Sequence, residues 1–157
     1  MIILVGPDEI PFGIQKDLLC AQSPYYREEF NKGAENQVEH IVKLPDTDVD
    51  TFGCFQNFIY TGAVYDKASA REIPDYPLLM NIWKLATFLK MAPLRLAVLD
   101  VMAERRQQTS LIPGTPLLIQ AWRETEEGSG LRAMLIQWAA EHSKYASSPK
   151  KASKLTC

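Results

Sequence analysis

Residues 11–31 read PFGIQKDLLCAQSPYYREEFN, and residues 41–65, after a polar segment, read IVKLPDTDVDTFGCFQNFIYTGAVY. The pattern predicts a short strand, two consecutive helices, a second strand, and an aromatic-rich helix that stops at a glycine. No residue in this stretch is arranged for chemistry. The stretch therefore indicates a recognition module rather than a catalytic site.

Length and charge narrow the class of protein. A chain of 157 residues suits one compact domain with room for a small appendage. Its apolar content of 46% is ordinary for a globular protein. A net charge of −2 gives no reason to expect nucleic acid or an anionic membrane as a partner. Acidic residues outnumber basic ones in residues 1–50, which predicts an acidic face that steers protein partners.

The cysteines and the first residues of the sequence indicate in which cellular compartment we expect the protein. Cys20, Cys54 and Cys157 are odd in number and lack CxxC spacing, so a disulfide framework is not expected. The opening MIILV is too short for a signal peptide, and no apolar run approaches the ~20 residues that span a bilayer. We therefore expect a cytoplasmic and/or nuclear protein that has no membrane contact.

Three short strands are predicted, at Ile2–Val5, at Pro11–Ile14 and at residues 41–44. Asp17 is expected to open the first helix, and Ser23 with Pro24 to cap and start the second. Tyr25, Tyr26 and Phe30 then form an aromatic stripe. Thr47 with Asp50 resembles a capping box for the next helix, whose inward stripe is Phe52, Phe55, Phe58 and Ile59 and whose C-cap is Gly62.

The second half of the chain is predicted to be helical. Residues 66–77 form a polar linker, Leu78 to Leu89 give an amphipathic helix, and the next helix runs from Pro93 to an end marked by Arg105 and Arg106. Thr115 is expected to cap a helix with Trp122 on its apolar face. The partner helix carries Leu131, Leu135, Trp138 and His142 inward, which completes a helical hairpin. Residues 146–157 are expected to be a disordered basic tail.

The sequence lacks the residue patterns that an enzymatic interpretation would require. The sequence has no GxSxG, P-loop, GxGxxG, HExxH or EF-hand pattern. Cys20 and His40 could be a thiol and its base, but Cys20 lies in a predicted apolar helix, and a structural role is favoured. A metal-binding cluster is conceivable at Glu124, Glu126 and Glu127, but a solvated helix end is the favoured interpretation. We therefore predict no catalytic residue, no metal and no cofactor.

Two blocks carry a resemblance to a known family. PFGIQKDLLCAQSPYYREEF resembles the BTB/POZ signature, in which a strand leads to a leucine pair and then to Ser-Pro-Tyr-Phe, and VKLPDTDVDTFGCFQNFIYTG is similar to its later strand, Asp-turn and helix ending in Tyr-Thr-Gly. LLMNIWKLATFLKMAPLRLAVLDVM looks like the following helix pair. The resemblance covers residues 1–107, and in its brevity the sequence is similar to filamentous-fungal members.

The resemblance implies a fold and a mode of action. The fold would be α+β, with a small three-stranded sheet flanked by helices in a BTB/POZ domain at 1–107 and a C-terminal helical extension at 108–145. The implied work is non-catalytic protein–protein interaction, by self-association and/or partner recruitment. Two alternatives remain open: a substrate adaptor of a cullin-based ubiquitin ligase, and a transcriptional regulator or scaffold.

The sequence departs from the family pattern at positions that affect which partners are expected. Gln15 stands where the family usually has histidine, and the loop NKGAENQVEH lacks the hydrophobic-x-Glu motif of many cullin-binding members. The sequence begins at the first strand, so the swapped homodimer that many members form is left open. Candidate protein-binding residues lie at the end of the Tyr-Tyr helix, in the loop after it, and at the end of the aromatic helix: Asn31, Lys32, Glu35, Asn36, Tyr60 and Tyr65.

Overall fold

The computed structural model describes residues 1–32, 41–68 and 72–146, with the backbone alone at 143–146. The chain divides into two units, Met1–Gln108 and Thr109–Cys157. The elements run β1 (Ile2–Val5), β2 (Ile10–Gly13), α1 (Lys16–Gln22), α2 (Pro24–Lys32), β3 (Ile41–Leu44), α3 (Val49–Thr61), α4 (Tyr76–Phe88), α5 (Ala92–Thr109), α6 (Thr115–Glu124) and α7 (Gly130–Ala146). The described residues thus form an α+β fold, as predicted.

The sheet has three strands in the order β2-β1-β3. The central strand β1 pairs with β2 antiparallel and with β3 parallel. Ile3 and Val5 of β1 are fully buried, whereas Ile2 and Ile41, which lie opposite each other in the register, are exposed. This alternation follows from the two-residue period of a strand, and it gives the sheet one face toward the core.

Helix α3 supplies the centre of the core in the first unit. Its stripe of Phe52, Phe55, Phe58 and Ile59 is buried, as the spacing predicts. The ring of Phe52 lies 4.7 Å from that of Phe12 on β2, which joins the helix to the sheet. Gly62 ends α3 with φ of 80°, the left-handed conformation that glycine adopts without strain, so the predicted C-cap is confirmed.

Several predicted boundaries are wrong by a few residues. The N-cap of α3 is Asp48 and not Thr47, because the Asp48 carboxylate accepts hydrogen bonds from both the backbone N–H and the hydroxyl of Thr51. Helix α4 begins at Tyr76, inside the predicted linker, because Asp75 caps it. Helix α5 continues past the two arginines to Thr109. Strand β2 is shifted by one residue to Ile10–Gly13.

The inward face of α5 agrees with its prediction, since all four expected positions are buried: Leu94, Val98, Val101 and Met102.

In the second unit, α6 and α7 are joined by residues 125–129. Leu131, Leu135 and Trp138 are buried as expected. Gly114 rather than Thr115 stands at the N-cap of α6, and Trp122 and His142 are exposed rather than inward. The predicted tail beyond residue 146 lies outside the described residues.

Candidate protein-interaction surface

A buried serine ties the first helix pair to the turn between α4 and α5. The Ser23 hydroxyl accepts from the backbone N–H of Tyr26 at 3.4 Å, which caps α2 as the sequence predicts. The same hydroxyl donates to the carbonyl oxygen of Leu89 at 2.9 Å. Because Ser23 is fully buried, both bonds are shielded from water. The start of α2 and the α4–α5 turn are therefore held against each other.

The α4–α5 turn is itself tightly fixed. Leu89 and Met91 are buried on either side of Lys90, which has a positive φ of 57°. The backbone N–H of Lys90 donates to Thr87, and that of Met91 donates to Ala86 at 2.8 Å. These anchors hold Phe88, the last residue of α4, in place although half of its surface (50%) is exposed.

An aromatic pair and an ion pair join α2 to this turn. The rings of Tyr25 and Phe88 lie 4.7 Å apart, and the Lys90 ammonium lies 3.0 Å from the Glu28 carboxylate. Lys32 is on the same stripe of α2, one turn beyond Glu28. We call this region, formed by Tyr25, Glu28, Asn31, Lys32, Phe88 and Lys90, the Tyr25–Phe88 surface. It has an exposed aromatic centre and a charged border.

A cavity adjoins the aromatic centre. It measures about 270 Å³, and Phe88 lines it together with Leu44, Pro45 and Leu85. Lys43 and Lys84 are also among its lining residues. Most of the surface that lines the cavity is apolar, which is the property that accepts a partner's hydrophobic side chain.

The six predicted contact residues lie in different places. Asn31 and Lys32 are exposed at the end of α2 and belong to the Tyr25–Phe88 surface. Glu35 and Asn36 lie outside the described residues. The structure thus joins two of the predicted residues to one surface and leaves the two tyrosines elsewhere.

Both tyrosine hydroxyls are engaged within the chain. The Tyr60 hydroxyl accepts from the backbone N–H of Gln15 at 3.2 Å, although the side chain is about half exposed. The Tyr65 hydroxyl donates to Glu104 Oε1 at 3.1 Å. Burial, and then the Glu104 carboxylate, raise the pKa of Tyr65. Tyr65 therefore has a structural contact with α5 that the sequence did not indicate.

Sequence reasoning missed the exposed position of Phe88 beside Tyr25. The residue lies nine positions after the buried Leu79, about half a turn out of phase with the apolar stripe of α4. A large aromatic residue out of phase with the apolar stripe of its own helix is a signal for an exposed side chain, and this signal was available in the sequence. The contact with Tyr25 was not, because it depends on how α2 packs.

The described residues offer little that favours chemistry. No group of three or more His, Cys, Asp or Glu residues in the described ranges is placed to hold a metal ion. Burial raises the pKa of the Cys20 and Cys54 thiols, which disfavours the reactive thiolate. His40 lies outside the described residues. Within those same ranges, no helix is long and apolar enough to cross a bilayer.

Comparison with protein-family models identifies the type of domain. A family model described as BTB/POZ domain matches residues 1–104. Among solved structures, the BTB (Tramtrack and Bric a brac) domain of human Gigaxonin is similar at 20% sequence identity and a TM-score of 0.49, over 63% of this chain and 73% of that one. A search of the curated proteins gives no match.

Proposed function

The chain belongs to the BTB/POZ domain family, and on that premise we propose that it recruits a protein partner through the Tyr25–Phe88 surface, without catalysis, in the cytoplasm or nucleus. Domains of this family are protein–protein interaction modules. The observation that carries the proposal is the exposed Phe88 ring, held at a fixed position against Tyr25. Aromatic residues of this kind are common anchors of protein interfaces.

Preorganisation supports the choice of this surface. A side chain that is already immobile loses little conformational entropy when a partner binds it, so more of the contact energy appears as affinity. The turn that carries Phe88 is fixed by the buried Leu89 and Met91 and by the Ser23 hydrogen bond. The adjoining cavity of about 270 Å³ offers depth beside the ring.

Charge around the ring supports selectivity. Glu28 and Lys90 form an exposed ion pair, and Lys32 pairs with Glu29 at 3.5 Å. Exposed pairs of this kind contribute little to stability, so a partner's charges can replace them at small cost. A border with both signs of charge also rejects partners whose charges do not match.

The test is affinity capture from the native cell with matched variants. Wild type, Phe88→Asp and Leu96→Asp are compared by quantitative mass spectrometry. Leu96 is the control, since it is an apolar side chain on α5 that is 65% exposed and outside the proposed surface. We expect the proteins captured by wild type to be lost with Phe88→Asp and retained with Leu96→Asp. Equal capture by the two variants would contradict the assignment of the surface.

A cullin scaffold is a second candidate partner. In cullin-binding members the loop that directly follows the helix corresponding to α2 contributes to the contact, and the last residues of α2 belong to the Tyr25–Phe88 surface, although the loop of this chain lacks the hydrophobic-x-Glu motif. Isothermal titration calorimetry, with a purified cullin N-terminal domain titrated into the full chain, tests whether a cullin binds. Binding that Phe88→Asp abolishes supports the adaptor role. No heat at about 50 μM removes the adaptor role and leaves the general proposal standing.

A further inference from the structure

The second unit exposes apolar side chains on one face of its helical hairpin. Trp122 on α6 is 49% exposed and Ile136 on α7 is 52% exposed. Together with Ala133 they line a cleft of about 480 Å³. Ile119, one turn before Trp122, is exposed as well. Several large apolar side chains side by side on so short a hairpin are typical of an interface.

Arg132 is fixed within this cleft. Its guanidinium lies over the Trp122 ring, with Cζ 4.8 Å from the ring centroid. Its Nε donates to the Thr125 hydroxyl at 2.9 Å, and its Nη2 donates to the carbonyl oxygens of Trp122 and Thr125. The remaining nitrogen, Nη1, has no hydrogen-bond partner in the described ranges. The side chain therefore offers a rigid, unused donor.

The charges lining the cleft are of both signs and are not paired with each other. Glu127 lines the same cleft as Arg132, yet across the described part of the chain neither forms an ion pair. One positive and one negative group, both unpaired and both beside apolar side chains, form a self-complementary pattern. When two identical faces meet about a two-fold axis, each Arg132 can approach the Glu127 of the other copy.

We propose that this face, made of Ile119, Trp122, Glu127, Arg132 and Ile136, binds the same face of a second copy of the chain. The residues lie outside the 1–104 match to the family, so the contact is additional to anything the BTB/POZ domain itself does. It does not depend on the Tyr25–Phe88 surface, and either proposal can fail alone.

The size of the face sets the strength of the dimer. The 10 residues of α6 give a shared length of about 15 Å, and two helices side by side span about 20 Å, so each copy contributes roughly 300 Å². The total of roughly 600 Å² is below the ~1,200 Å² of a stable interface, which predicts a weak, concentration-dependent dimer. We expect a dissociation constant of about 100 μM.

Sedimentation velocity of the full chain from about 5 to about 500 μM provides the first test. Wild type is expected to shift from monomer to dimer. Ile136→Asp should lose this concentration-dependent step, whereas the control Leu96→Asp, an exposed position of the first unit, should associate as wild type does. A monomeric wild type at the highest concentration, or an Ile136→Asp variant that dimerises normally, overturns the proposal.

Charge reversal provides the second test. Glu127→Lys and Arg132→Glu should each weaken the dimer by about tenfold, and an equimolar mixture of the two should recover it, because each contact then joins opposite charges. Recovery in the mixture supports the two-fold contact. A dimer that Glu127→Lys leaves unchanged overturns it. Arg132→Glu also removes the clamp on Thr125, so circular dichroism must show that this variant is folded; if it is not, the Glu127→Lys and Ile136→Asp results decide.

Discussion

The Ser23 hydroxyl donates a hydrogen bond of 2.9 Å to the carbonyl oxygen of Leu89, 66 residues further along the chain. The same hydroxyl caps α2, so one buried oxygen fixes a helix start and the α4–α5 turn together. Phe88 immediately precedes that turn. The position of the proposed anchor is thus set by a residue of the sequence motif that carries the family resemblance.

Ser23→Ala is expected to destabilise the protein by about 2 kcal/mol. The substitution removes the cap of α2, which contributes about 1 kcal/mol, and it leaves the Leu89 carbonyl buried without this donor, which costs at least about 1 kcal/mol more. Urea unfolding measures the change. Ser129→Ala is the matched control, because Ser129 Oγ accepts from the N–H of Arg132 at a less buried helix start and makes no long-range hydrogen bond within the described residues. Its cost should therefore stay at about 1 kcal/mol. Equal effects at the two serines would show that the Leu89 contact adds nothing.

The cap of α3 gives a second prediction. Asp48→Ala should cost about 1–2 kcal/mol in urea unfolding, because the carboxylate accepts from Thr51 and from the Asn81 amide. Thr47→Ala should change stability by less than about 0.5 kcal/mol, because no side-chain bond from Thr47 caps the helix. The sequence pattern favoured Thr47. A larger loss at Thr47 than at Asp48 would restore that earlier assignment.

Local signals explain which parts of the fold were predictable. The buried stripe of α3, Gly62 at its end, and Ser23 before Pro24 each follow from spacing or capping within one element. Thr47 and Asp48 are both good cap residues one position apart, so the sequence alone did not distinguish them.

The site was less predictable, for a physical reason. Phe88 meets Tyr25, and Lys90 meets Glu28, across more than 60 residues, and such contacts exist only after the helices have packed. Trp122 shows the same limit in the second unit. Helical spacing placed it with the apolar residues of α6, yet in the structure Arg132 covers part of its ring and the rest is exposed.

Lys90 offers a third prediction, on backbone strain. With φ of 57° it is in the left-handed region, where a side chain costs about 1 kcal/mol or more relative to glycine. Lys90→Ala and Lys90→Gly both lose the exposed ion pair with Glu28, so their difference isolates the backbone. We expect Lys90→Gly to be more stable than Lys90→Ala by about 1 kcal/mol in thermal unfolding. Equal melting temperatures would mean that the turn relaxes in solution and does not hold Phe88.

Tyr26 gives the last prediction, because its hydroxyl is buried without a hydrogen-bond partner in the described residues, in a side chain only 2% exposed. Tyr26→Phe keeps the ring and removes the unsatisfied group, so it should stabilise the protein by about 1 kcal/mol at pH 7.

Burial, and then the neighbouring Tyr25, raise the pKa of Tyr26 far above its ordinary value of 10.0. The unfolded chain therefore loses this proton above pH 10 while the folded chain keeps it, and wild-type stability falls as pH rises through that range. The advantage of Tyr26→Phe should grow by about 1.4 kcal/mol between pH 9 and pH 11, as measured by urea unfolding. A Tyr26→Phe variant that is less stable than wild type at both pH values would show that the hydroxyl has a partner in solution.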